Sequence, residues 1–116
     1  MSNDEKFVAA IFKELIEENS VRYRTSLSKP VDTGSDVYAK ARNALAKLSK
    51  DERDNVFKFI DLAIVDSTSV IFGTLDGSHF PDGIDGDIIV DYKGEEIQGS
   101  LQDLFIEKAE DRGIYN

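Results

Sequence analysis

Phe7, Val8, Ile11, Phe12, Leu15 and Ile16 recur at three- and four-residue intervals near the start of this chain. That spacing lines large apolar side chains along one side of a helix. Such a stripe is stable only where other elements cover it, so the pattern predicts a helix over residues 4–19 packed into a core. Ser2 and Glu5 stand three apart, as a capping box requires. With 41% hydrophobic residues and seven Phe in 116 residues, one domain can supply that core.

The same reading carries through the first two thirds of the chain. Val21, Tyr23 and Thr25 alternate with Arg22 and Arg24, which permits a short strand, and Lys29-Pro30 and Asp32-Thr33-Gly34 are loop sequences. Residues 20–34 are therefore expected to form an irregular connection. Ser35 is the expected N-cap of a second helix running to Leu48, with Val37, Tyr38, Ala41, Leu45 and Leu48 facing inward. Ser49 and Glu52 repeat the capping-box spacing and start a third helix. Its stripe holds Val56, Phe57, Ile60, Ala63, Ile64, Val70 and Ile71. Residues 64–72 are rich in β-branched side chains and also suit a strand, but unbroken periodicity favours helix. Ser67, Thr68 and Ser69 are expected to bond back to carbonyls of the preceding turn.

Leu75-Asp76-Gly77 ends that helix, and Gly77, Pro81, Gly83 and Gly86 make residues 76–87 an exposed loop. Residues 87–92 and 95–98 read as strands joined by Lys93-Gly94, with Ile88 and Val90 on one face. Ser100 is the expected cap of a last helix reaching Asp111, with Leu101, Leu104, Phe105 and Lys108 on its buried side. Arg112-Gly113 closes it. The expected fold is α+β in a single domain over 1–116. It is mostly helical, about four helices, with one small antiparallel β-hairpin between the third and fourth.

The charge is unevenly placed. Up to Lys58 the chain holds 11 basic and 10 acidic residues; from Phe59 onward it holds 3 and 13, so the net charge of −9 belongs to the second half. Seven acids fall between 76 and 96: Asp76, Asp82, Asp85, Asp87, Asp91, Glu95 and Glu96, with Lys93 alone opposing them. Like charges this close oppose compaction. One reading is a solvated surface that keeps the chain soluble. The sharper reading is a recognition face for a basic protein, with Phe80 and Ile84 as apolar anchors among the carboxylates. Phosphate backbones and anionic membranes repel such a surface, so neither nucleic acid nor membrane is an expected partner.

Other chemistry is thinly supported. The chain has no cysteine, which excludes disulfides and thiolate chemistry. The twelve residues from Asp76 to Asp87 invite a calcium reading, but Ser78, Phe80 and Pro81 stand where an EF-hand needs oxygen ligands and glycine. A looser site of Asp82, Asp85 and Asp87 is the residual version, with a flexible acidic turn as the ordinary explanation. His79 is the only histidine. Catalysis by it would need an orienting carboxylate, Asp76 or Asp82; a surface contact is the simpler role. Arg22, Tyr23 and Arg24 suit stacking on a base, but in so acidic a chain they are expected to pair with its own acids or with another copy. The expectation is a non-enzyme without metal or cofactor. Met1 to Lys6 has no secretory pattern and no segment is apolar enough to span a bilayer, so a cytoplasmic protein is expected.

The long helix ending in Leu75-Asp76-Gly77, the hairpin from Ile88 to Ile97, and Leu101-x-x-Leu104-Phe105-x-Glu107 resemble small bacterial immunity proteins of polymorphic and contact-dependent toxin systems. The likeness is one of organisation and does not extend to the first half. It implies an inhibitor that occludes a basic toxin domain, such as a nuclease, with carboxylates in the positions of substrate phosphates. The alternative is a housekeeping adaptor, a homodimer through the hairpin edge or the Arg22–Arg24 cluster.

Overall fold

The computed structural model describes residues 1–116. One helical rod occupies residues 3–27, built from α1 (Asn3–Phe12), a π-helical segment (Lys13–Asn19) and α2 (Ser20–Leu27). Its buried residues are Val8, Phe12, Ile16 and Ser20, each four after the last. In a regular α-helix a four-residue repeat drifts around the axis by about 40° per step. A π turn holds more residues than an α turn, so it takes up this drift and keeps the line facing inward.

The expected irregular connection over 20–34 is thereby corrected, since helix persists to Leu27 and nothing breaks the backbone before Lys29-Pro30. The alternation of Val21, Tyr23 and Thr25 is not a strand; Thr25 Oγ1 donates to the Val21 carbonyl at 2.9 Å, one helical turn back. Ser2 does sit at the N-cap, but its hydroxyl donates to the carboxylates of Asp4 and Glu5 instead of accepting a backbone amide.

α3 (Val37–Leu45) is capped by Asp36, not Ser35; the Asp36 carboxylate accepts the Ala39 amide at 3.1 Å. It is shorter than expected and buries only Ala39 and Leu45, leaving Val37 81% exposed. Tyr38, also exposed, lies against Tyr23 with ring centroids 6.5 Å apart. α4 (Lys50–Asp76) has the expected capping box: Ser49 Oγ accepts the Glu52 amide at 3.2 Å and Glu52 accepts the Ser49 amide at 2.8 Å. Residues 64–72 are helix throughout. Gly77, at φ 77°, closes α4 in the left-handed region that glycine adopts without steric cost.

β1 (Asp91–Tyr92) and β2 (Glu95–Glu96) pair antiparallel, Asp91 opposite Glu96 and Tyr92 opposite Glu95. Lys93 and Gly94 both take positive φ, 53° and 81°, as a two-residue hairpin turn demands. The strands are shorter than the expected 87–92 and 95–98. The Ile97 amide still reaches the Val90 carbonyl at 2.9 Å, but the Val90 amide is taken by the Gln98 side chain at 2.9 Å, which ends the ladder.

α5 (Leu101–Asp111) lies between α1 and α4 and buries Leu101, Phe105 and Ala109. The core forms around it from Val8, Phe12, Ile16, Val65, Phe72 and Ile97. Phe105 is wholly buried and meets Phe72 and Phe12 edge-on, with centroids 5.3 and 5.6 Å away. Gly73 lets α5 approach, because a Cβ there would come within 2.8 Å of Gln102 Nε2. The architecture is α+β: four helices, counting the rod as one, with a two-stranded antiparallel hairpin between α4 and α5. No helix is long and apolar enough to cross a membrane.

Candidate functional site: an acidic loop and hairpin

The segment between α4 and α5 is pinned at both ends. The first amides of a helix have no partner within it, and Ser100, the expected cap of α5, makes no side-chain cap bond. Asp76 does this instead. Its carboxylate accepts the amides of Gly99, Leu101 and Gln102 at 2.6, 3.1 and 2.8 Å. The amides of Ser78 and His79 both reach the Gly73 carbonyl, at 2.9 and 3.1 Å. Asp76, expected on the recognition face, is thus committed to joining α4 to α5.

Between these pins the chain is open. Asp82, Asp85 and Asp87 are exposed, and no hydrogen bond or ion pair engages their side chains. Phe80, Ile84 and Ile89 are 55%, 43% and 65% exposed among them. On the hairpin, the Asp91 carboxylate accepts the Gly94 amide at 2.9 Å, and Glu95 accepts Asn3 Nδ2 at 2.6 Å. Glu96 accepts Gln98 Nε2 at 3.3 Å. The four ion pairs of the chain, Arg24–Asp61, Arg42–Asp32, Lys50–Asp54 and Arg112–Glu17, all lie elsewhere. Lys93, the one cation of the segment, sits over the Tyr92 ring, 5.4 Å from its centroid, and pairs with no acid. The structure therefore brings Asp82, Ile84, Asp85, Asp87 and Phe80 into one exposed loop beside Asp91, Glu95 and Glu96, and removes Asp76 from the set.

No group of three or more acidic or imidazole side chains is gathered in one place, and Asp82, Asp85 and Asp87 stand apart from one another. His79 is exposed; of the two carboxylates expected to orient it, Asp76 is occupied by α5, and Asp82 makes no hydrogen bond to it. Arg24 pairs within the molecule, as expected, with Asp61 at 2.8 Å. Arg22 instead donates to Asn19 at 2.7 Å. Thr68 Oγ1 bonds back to the Ile64 carbonyl at 2.8 Å, as expected, whereas Ser69 Oγ is buried without a partner.

The stripe expected on α4 is covered only in part: of its residues Phe57 is buried, whereas Val56, Ala63, Val70 and Ile71 are exposed. α4 buries only Phe57, Val65, Phe72 and Gly73. Val56, Val70, Ile71 and Phe59, the last 68% exposed, form an outward apolar stripe with Ala63 and Ser67 between them. The signal was present in that α4 carries apolar residues on both of its sides, although only one side is covered. No protein family, curated protein or solved structure matches this chain.

Proposed function

We propose that this chain is a protein-binding module that recognises a basic protein through the loop and hairpin between α4 and α5, and inhibits it by covering its working surface. The observation that carries the reading is the row of acids without an intramolecular cation, from Asp82 to Glu96, interleaved with exposed Phe80, Ile84 and Ile89. A cationic partner relieves their mutual repulsion and steers encounter. The apolar side chains between them exclude water from the contact. Under this reading the organisation that resembles bacterial immunity proteins makes the partner a cytoplasmic toxin domain, such as a nuclease. The carboxylates stand in for substrate phosphates, and no catalysis or cofactor is involved.

The test is capture of a partner from host lysate on the tagged chain, followed by association kinetics with that partner. A basic protein should be retained at low salt and shed at high salt, and Asp82→Lys with Asp85→Lys should slow association about tenfold or more. An association rate indifferent to those reversals and to salt sinks the mechanism.

The α4 stripe favours a second reading, a homodimeric adaptor. A two-fold antiparallel pairing that crosses between Ala63 and Ser67 opposes Val56 with Thr74, Ile60 with Val70 and Phe59 with Ile71, with small residues at the closest approach. It also brings both Asp66 carboxylates to the same flank, so self-association strengthens with salt, opposite to the first reading. Sedimentation equilibrium decides between them: a monomer at every salt concentration removes the dimer.

A further inference from the structure

A cleft of about 460 Å³, lined by no residue of the acidic loop, opens between Ile16 of the π-helical segment, α2, the first half of α4 and the residues after α5. Its charge runs against that of the chain. Arg24, Lys58 and Arg112 line it, and Asp61 is the one acidic side chain there. Asp61 is already satisfied: it is the most buried acid of the ion pairs, 13% exposed, and takes Arg24 Nη2 at 2.8 Å and the hydroxyl of buried Ser20. The cationic donors are mostly free. Arg24 donates through Nη2 alone, its guanidinium resting 5.5 Å from the Phe57 ring centroid, Arg112 uses only Nη1 on exposed Glu17 at 3.2 Å, and Lys58 makes no ion pair. Ile16 and Ile114 supply an apolar floor.

We infer that this cleft binds a small polyanion, a phosphorylated or polycarboxylate metabolite, with Lys58 and Arg112 grasping its anionic group and Arg24 held in place beside them by Asp61. The volume falls in the range of small-molecule sites. Two guanidinium groups with unused donors and one ammonium suit phosphate and carboxylate oxygens alike. The Asp61–Arg24 pair, braced by Ser20, fixes one donor before the ligand arrives, so less ordering cost falls on binding. The under-wound π-helical segment brings Ser20 round to Asp61, and such segments gather at functional sites. The site is separate from the acidic loop, so neither reading depends on the other.

Isothermal titration of the full chain with pyrophosphate, and separately with citrate, tests the inference at low ionic strength. Saturable one-site binding is expected with at least one probe; the probe that binds identifies the anionic group as phosphate or carboxylate. Lys58→Gln and Arg112→Gln should each weaken it about tenfold or more, with circular dichroism and melting temperature unchanged. Lys47→Gln, which removes an exposed cation outside the cleft, should leave it unaltered. Absence of binding by both probes overturns the inference, and so does an equal loss in Lys47→Gln, which would mark a response to net charge alone.

Discussion

Asp76, the last residue of α4, accepts the amide hydrogen of Leu101, the first residue of α5, at 3.1 Å. With the Gly99 and Gln102 amides on the same carboxylate, this contact caps one helix with the end of another. Asp76→Ala should cost about 2 kcal/mol of unfolding free energy in urea, more than a single lost cap because three amides lose their acceptor. Asp76→Asn should cost less. A loss under about 0.5 kcal/mol for the alanine variant would return Asp76 to the recognition face.

The acids of the open loop should behave oppositely. Asp82→Asn, Asp85→Asn and Asp87→Asn together should leave stability within about 0.5 kcal/mol or raise it slightly, since they remove repulsion and break no bond. A clear destabilisation in thermal melts would mean these side chains hold the loop in place.

Phe105 and Phe59 form a matched pair for the core. Phe105→Ala, at a wholly buried ring between Phe12 and Phe72, should cost about 3–5 kcal/mol. Phe59→Ser, at an outward position, should change the unfolding free energy of the monomer by no more than about 0.5 kcal/mol. Comparable losses at the two sites would show that the α4 stripe is covered in solution.

Ser69→Ala should stabilise the chain by about 1 kcal/mol, because the Ser69 hydroxyl is buried without a partner and alanine is the better helix former. Denaturant midpoints read the effect. A loss instead would show that the hydroxyl is satisfied in solution.

The Tyr115 phenol is held above its usual range by burial, with Asp66 and Glu110 adding repulsion to the phenolate. The folded state therefore holds this proton more tightly than the unfolded chain. The contribution to stability is complete below the ordinary phenol range and fades as pH rises through the raised value. Spectroscopic titration should resolve one late tyrosine, and Asp66→Asn should bring it earlier. Four tyrosines titrating together would remove the effect.

What could be read in the sequence was local. Ser49 and Glu52 form their reciprocal bonds within one turn, and Lys93-Gly94 needs only its own backbone, so both were evident from the residues themselves. The acidic loop was evident because charge and glycine count need no partner to be seen. The bonds of Asp76 were hidden because its partners lie beyond the hairpin, and Ser100 offered a nearer cap that goes unused. α2 was hidden because its alternating polar and apolar residues mimic a strand while Ser20 and Arg24 face Asp61. The outward stripe of α4 was hidden because apolar residues on two sides of a helix do not say which side is covered.

The π-helical segment has a consequence for how this chain tolerates a change of length. Most proteins absorb gains and losses of single residues in loops. Here a helix contains such a place. Deleting Glu18, exposed near the end of Lys13–Asn19, lets the wide turn relax to an ordinary one. Val8 and Phe12 stay turned toward α5 and Ser20 and Arg24 toward Asp61. The same deletion inside α1 or α2 rotates everything downstream by about 100° and parts those residues from their partners.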